Sequence, residues 1–175
     1  MRQIVFAFVC FLSFSSSFAH AIDRIDISVG SLSRPSYHVD TMSSYRAGLS
    51  WDTDLLKDYI NSQSSIRLET SIGLNQTSLG DVYDITAAPT FHYQFKKFDQ
   101  KAFFEISTGV AYISETDWAA YHNMGSNLQF ADRVGFGYTF DKAEVSLNFF
   151  HFSNGGTNTH NPGCDMLLLR TSFKI

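Results

Sequence analysis

Three residues near the C-terminus, His151, Ser153 and Asp165, have the types and spacing of a hydrolytic triad. A serine hydroxyl becomes a useful nucleophile when a base takes its proton, and the base needs an acid to hold its tautomer. Counting by twos back from Ser153 gives His151, Phe149, Leu147, Val145 and Ala143. Counting by twos forward from Asp165 gives Leu167, Leu169, Thr171, Phe173 and Ile175. Side chains alternate faces along a strand, so all three polar residues fall on the apolar face of two consecutive strands. His151 and Ser153 are i and i+2, roughly 7 Å apart at the backbone, and their side chains meet if they lean together. Asn154, Gly155 and Gly156 follow the serine directly. Glycines let backbone N–H groups converge, so these three are the candidate oxyanion or positioning residues. Asn161-Pro162-Gly163 has the preferences of a type II turn, which would set the register of Asp165 against His151.

Why such a constellation should sit on an oily face is a question for the rest of the chain. The start, Met1-Arg2 followed by the apolar run Ile4–Phe14 and then Ala19-His20-Ala21, has the pattern of a cleaved secretory signal peptide. The run is broken by serines too early for a membrane-spanning helix, and Cys10 reads as part of the apolar region. The expected organisation is a signal peptide over 1–21 and one domain over 22–175. Without Arg2, 12 Lys and Arg face 17 Asp and Glu, a formal charge of −5 with histidines neutral. That balance disfavours nucleic acid, whose phosphates need clustered cations. Cys164 would be the one remaining cysteine, so an internal disulfide is excluded. Aromatics make up 15% of the chain, and no later stretch is long and apolar enough for a spanning helix. Barrel strands alternate and never become continuously apolar, so the pattern points to a membrane β-barrel.

Eight alternating segments of about spanning length follow. They cover about Arg24–Leu32, Ser43–Asp52, Ser65–Asn75, Val82–Phe95, Ala102–Ser114, Asn127–Phe140, Ala143–Ser153 and Asp165–Ile175. The predicted fold is all-β, an eight-stranded antiparallel transmembrane barrel. Its apolar faces end in Tyr, Trp or Phe, as interfacial girdles do, while Arg67, Glu69, Glu105, Arg133, Glu144 and Arg170 suit a polar lumen that pairs its charges. Pro89 falls inside the fourth segment and requires a bulge or a weakly paired position. Lys96–Lys101 and Asp141–Lys142 are short, as inner turns should be; Arg34–Met42, Glu115–Ser126 and Asn154–Gly163 are long and polar, as outer loops should be. Asp52–Gln63 is long but on the inner side, and the spacing of Leu55, Leu56, Tyr59 and Ile60 predicts a short amphipathic helix. With both termini inside, His151, Ser153 and Asp165 come to the lipid-facing wall near the outer rim.

The bland alternative is that the three are polar rim residues where strands leave the membrane. Against it stand their shared face, the cost of a carboxylate on a lipid-facing wall, and the acid's place beside its base instead of beside a lumen arginine. The stretch His151-Phe152-Ser153-Asn154 with Asn161-Pro162-Gly163-Cys164-Asp165 resembles the signature of the outer-membrane lipid A 3-O-deacylases, the PagL family. The close match covers this final quarter; elsewhere the likeness is one of leader, length and strand count. The resemblance implies a bacterial outer-membrane serine esterase that removes the 3-linked hydroxyacyl chain of lipid A in lipopolysaccharide. It carries Ser153 over as nucleophile, His151 as general base, Asp165 as orienting acid and Asn154 as an oxyanion contributor. The family usually has glutamate at the acid position; aspartate is one methylene shorter, so the strands must approach more closely.

Elsewhere the signals are weaker. His38, His92, His122 and His160 show no metal-ligand spacing, and Asp81, Asp84, Asp117 and Asp132 are scattered, so neither a metal nor another cofactor is called for. Arg34, Arg46 and His38 near the outer rim are either solvated or in contact with lipid phosphates. Two competing functions are compatible with the same residues. One is a non-enzymatic small barrel serving adhesion or membrane integrity; the other is an acyltransferase using the same lipids. A homodimer is left open.

Overall fold

Alternation gives each strand one face for lipid and one for the lumen, and closing the sheet leaves no backbone edge in the hydrocarbon. The computed structural model describes residues 22–32 and 42–175. The expected signal peptide, with Cys10, and most of the first outer loop, with Arg34 and His38, lie outside the described residues. The strands are β1 (Arg24–Leu32), β2 (Ser43–Thr53), β3 (Ser64–Thr77), β4 (Gly80–Gln94), β5 (Ala102–Ile113), β6 (Asp117–Ala119), β7 (His122–Asn123), β8 (Leu128–Phe140), β9 (Ala143–Ser153) and β10 (Cys164–Lys174). Eight of them close a barrel in the order β1-β10-β9-β8-β5-β4-β3-β2, every neighbour antiparallel, while β6 and β7 form a separate hairpin. Strand boundaries fall within about two residues of the expected ones.

The outer wall is apolar: Ile27, Ile72, Phe136, Leu147 and Leu169 are all exposed there. The lumen divides into two layers. Towards the inner end, Arg170 Nη1 lies 3.0 Å from Glu105 Oε2 and Arg170 Nη2 2.9 Å from Asp26 Oδ1. Arg67 Nη1 lies 2.7 Å from Glu144 Oε2, and Arg133 Nη2 2.7 Å from Glu69 Oε2. Each charge removed from water here is met by an opposite one, the condition under which buried ions are tolerated. Towards the end with the long loops, the outer end, Ile113, Trp118, Met124, Phe150, Phe152, Met166 and Leu168 pack as one apolar plug. Arg46 also points inwards, where it is buried, and is neither solvated nor in contact with rim lipids, the two places expected for it. Parity turns it to the lumen, where Nη2 pairs with Asp84 Oδ1 at 2.5 Å and the guanidinium lies 4.8 Å from the Phe150 ring centroid.

Pro89 occupies a weakly paired position. It opposes Leu68 on β3, but the β4–β5 pairing passes from Ala87↔Val110 to Thr90↔Ser107 without Ala88 or Pro89. The expected helix in Asp52–Gln63 is absent; residues 55–59 are turns. Leu56 takes a left-handed φ of 59°, and the backbone bonds there are mostly three residues apart. One left-handed residue in so short a stretch defeats helix nucleation, whatever the spacing of its apolar side chains.

The β6–β7 hairpin was not foreseen within the outer loop Glu115–Ser126. It lowers Trp118 onto Phe152, ring centroids 6.2 Å apart and edge to face, and so caps the apolar layer.

Candidate active site

At the outer end of β9, Phe150 and Phe152 are buried in the plug, which turns the alternating His151 and Ser153 to the outer wall. β10 enters beside them with Cys164 buried inside and Asp165 on the same wall as His151. Their Cα atoms are direct partners in the ladder, and His151 Nδ1 stands 2.5 Å from Asp165 Oδ1. The carboxylate is buried (3% of the side chain exposed), whereas the imidazole keeps 32% of its side-chain surface open. An acceptor on Nδ1 requires the proton to sit there, which leaves Nε2 with its lone pair free. The shorter acid therefore reaches its base because the two strands place it directly opposite.

Gly163 finishes this arrangement. The expected type II turn over Asn161-Pro162-Gly163 is not formed, since residues 161–163 carry neither turn nor bend. Gly163 itself takes a left-handed φ of +67°, and a Cβ on it would lie 2.9 Å from His151 Cε1. The chain thus passes against the edge of the imidazole, and a side chain would push the ring aside. Ser153 is half-buried, one residue pair further out on the same wall and opposite Phe130 of β8. Among the described residues no hydrogen bond joins its hydroxyl to the imidazole. The i, i+2 spacing leaves the two side chains within reach by rotation, and such bonds commonly tighten only around substrate.

The three residues after the serine divide by what their polar atoms already do. Asn154 is buried, and its Nδ2 donates to Met124 O at 3.0 Å and His160 O at 2.6 Å. Its Oδ1 accepts from Gly156 N at 2.9 Å, and its own N–H donates to Asn161 Oδ1 at 3.0 Å. Asn154 therefore knits the loop that leads into Asp165, and its amide has no hydrogen left for an oxyanion. The Gly156 N–H is likewise spoken for. The Gly155 N–H, among the described residues, carries no partner; Gly155 (φ +62°) and Gly156 (φ +77°) turn the backbone sharply there.

The β6–β7 hairpin braces the same loop. Asn158 Nδ2 donates to Gly125 O at 2.6 Å, and buried His122 hydrogen-bonds the Gly163 backbone. Burial pushes the His122 imidazole below its usual value, and the bond to Gly163 partly opposes that shift. A residue that the sequence reading passed over also lies here. Asp132 of β8 is the ladder partner of His151 on the side away from Asp165. Its signal was available: it stands between Phe130 and Val134 on an otherwise apolar face.

The fold gathers one further set that linear spacing did not show. Ligand-type atoms of His92, Glu105 and Glu144 lie within 4.8 Å of one another in the lumen. Arg67 bridges both glutamates and Arg170 holds Glu105 as well, so the carboxylates are neutralised by guanidinium groups and the set reads as part of the ion-pair layer.

The profile of the lipid A 3-O-deacylase (PagL) family matches residues 43–174. A lipid A deacylase PagL of Pseudomonas aeruginosa is 33% identical over 126 residues, which is 69% of this chain and 72% of that protein. A lipid A deacylase PagL of Bordetella bronchiseptica is 30% identical over 99 residues, 56% of this chain and 53% of that protein. The crystal structure of the outer membrane enzyme PagL superposes with a TM-score of 0.68 at 27% identity, covering 87% of this chain and 99% of that one. Neisserial surface protein A, at a TM-score of 0.52 and 11% identity, shares the barrel fold alone. Family profile, relatives and superposition agree, and the chain belongs to the lipid A 3-O-deacylase (PagL) family of outer-membrane ester hydrolases.

Proposed function

We propose that the protein hydrolyses the 3-linked hydroxyacyl ester of lipid A, with Ser153 as nucleophile, His151 as general base and Asp165 as the acid that orients it. The observation that carries this reading is the His151–Asp165 hydrogen bond on a wall that faces lipid. Ester bonds of lipid A lie just beneath the outer head groups, at the depth of the outer end of β9. Ser153 Oγ adds to the ester carbonyl while His151 Nε2 takes its proton. The oxyanion meets the Gly155 N–H, the donor of the Asn154-Gly155-Gly156 run that the loop leaves uncommitted. Collapse breaks the carbonyl–oxygen bond, and the proton on His151 passes to the sugar 3-oxygen as it leaves. Water, activated by the same imidazole, then releases the hydroxy fatty acid from Ser153. The protein reaches its site by export, with cleavage after Ala21 leaving the barrel as the mature domain.

Ser153→Ala is the direct test. The variant is expected to remain a folded barrel, shown by its heat-modifiable migration in gels, and to lose release of hydroxy fatty acid from lipopolysaccharide, followed by mass spectrometry of lipid A. Retained deacylation by that variant would overturn the assignment. Appearance of a newly acylated lipid in place of free fatty acid would make the protein a transferase.

A further inference from the structure

Every lysine of the chain lies at the inner end of the barrel. Lys57 belongs to the long inner turn, and Lys96, Lys97 and Lys101 to the turn joining β4 to β5. Lys142 sits in the turn joining β8 to β9, and Lys174 ends β10. All six are exposed. At the outer end, none of the described loop residues is Lys or Arg, and Asp81, Glu115 and Asp117 are there instead. Exposed positive charge is thus turned towards the inner leaflet.

Lys142 and Lys174 border the mouth of the lumen. The β4–β5 turn stands at the lipid edge. Phe95 continues the outward face of Phe91 and Tyr93, and its ring meets Tyr93 edge to face at 5.3 Å. Phe98, at the tip, is 68% exposed. Phe98 and Asp99 both take left-handed backbone angles, φ 63° and 51°, which a bulky residue seldom adopts. Hydrogen bonds fix the turn in that shape. Phe95 N donates to Ala102 O at 2.9 Å, Lys101 N to Phe98 O at 2.9 Å, and Thr139 N of β8 to Lys101 O at 2.8 Å. On β8, Tyr138 and Phe140 are exposed at the same level. Three cations against one acid, Asp99, are therefore held beside a cluster of open aromatic rings.

We propose that the β4–β5 turn docks an anionic phospholipid of the inner leaflet. Lys96, Lys97 and Lys101 meet its phosphate-bearing head group, and Phe95 and Phe98 lie beside its glycerol and upper chain carbons. Basic residues next to a membrane surface attract anionic lipid, and aromatic rings favour the boundary between head groups and hydrocarbon. The rings decide for a lipid over an acidic soluble partner, which would match the charge and leave them in water. Such a contact fixes the height of the barrel in the bilayer, and with it the depth of the outer end of β9.

The test titrates purified barrel in neutral detergent micelles with dihexanoyl phosphatidylglycerol or dihexanoyl phosphatidylcholine, following backbone amide shifts by NMR. The amides of residues 95–101 are expected to respond to the glycerol lipid with an apparent Kd at least about tenfold lower than for the choline lipid. Added salt should shrink that preference. The triple variant Lys96→Gln, Lys97→Gln, Lys101→Gln should bring the two lipids to equal affinity, and its spectrum reports directly whether the barrel is folded. Equal affinities in the native protein, or a preference unchanged by high salt or by the triple substitution, would overturn the proposal. Inorganic phosphate is run alongside. If it moves the same amides as tightly as the glycerol lipid, the turn is a small-anion site and the lipid assignment falls. The salt series needs only the native barrel, so the outcome does not depend on the variant folding.

Discussion

A single hydrogen bond anchors the proposed chemistry at the level of residues. The 2.5 Å contact between His151 Nδ1 and Asp165 Oδ1 can be made by a short acid because ladder partners face one another. Asp165→Asn keeps the shape but offers an amide that can hold the ring in the wrong tautomer. It should lower kcat by about 10²- to 10⁴-fold, in line with the effect of that change in other triads, with little change in folding; hydrolysis rates beside gel mobility check this. Parity alone placed the three candidate positions on one wall, since counting by twos needs no knowledge of the loop between the strands. Asp132 was equally countable but was passed over, because a solitary acid on an apolar face has no partner along the chain to mark it. The duties of Asn154 were not readable at all. Two of its bonds go to Met124 O and His160 O, and the first joins loops 30 residues apart, a contact no local pattern encodes.

The elements that carry these residues differ in how plainly the chain announces them. Strands of nine residues or more show their alternation, and Arg24–Leu32, Ala102–Ile113 and Ala143–Ser153 lie close to where it placed them. The β6–β7 hairpin has strands of three and two residues, too short for a period to register. The misplaced helix failed for the opposite reason: apolar residues at helical spacing were present, but the backbone turns left-handed at Leu56. The hairpin also introduces a pH-sensitive brace. His122 is buried with its pKa below the usual 6.5, so the docked state binds fewer protons than the free loop. Its contribution is complete above that value and is lost as pH falls from it towards the lower docked pKa. Amide hydrogen exchange around Gly163 should therefore quicken relative to the barrel strands as pH drops through this window.

For the whole molecule, the two lumen layers do different work. In the ionic layer Glu105 is bound by Arg67 and Arg170 and touches His92 Nδ1 at 3.2 Å. Glu105→Gln leaves guanidinium charge poorly compensated in a closed interior. A loss of about 3–5 kcal/mol is expected, read as a lower unfolding midpoint in denaturant, with the chemistry at the outer wall retained wherever the barrel is still folded. The apolar layer above it fixes Phe150 and Phe152, and through them the outward turn of His151 and Ser153. Filling the bore in this way has a consequence for the cell. Among the described residues, ion pairs below and packed rings above fill the bore, so planar-bilayer recordings of the purified protein should show no steady conductance. A bacterium can then produce such an enzyme in quantity while its outer membrane keeps its permeability barrier, with no added leak of nutrients or entry of antibiotics.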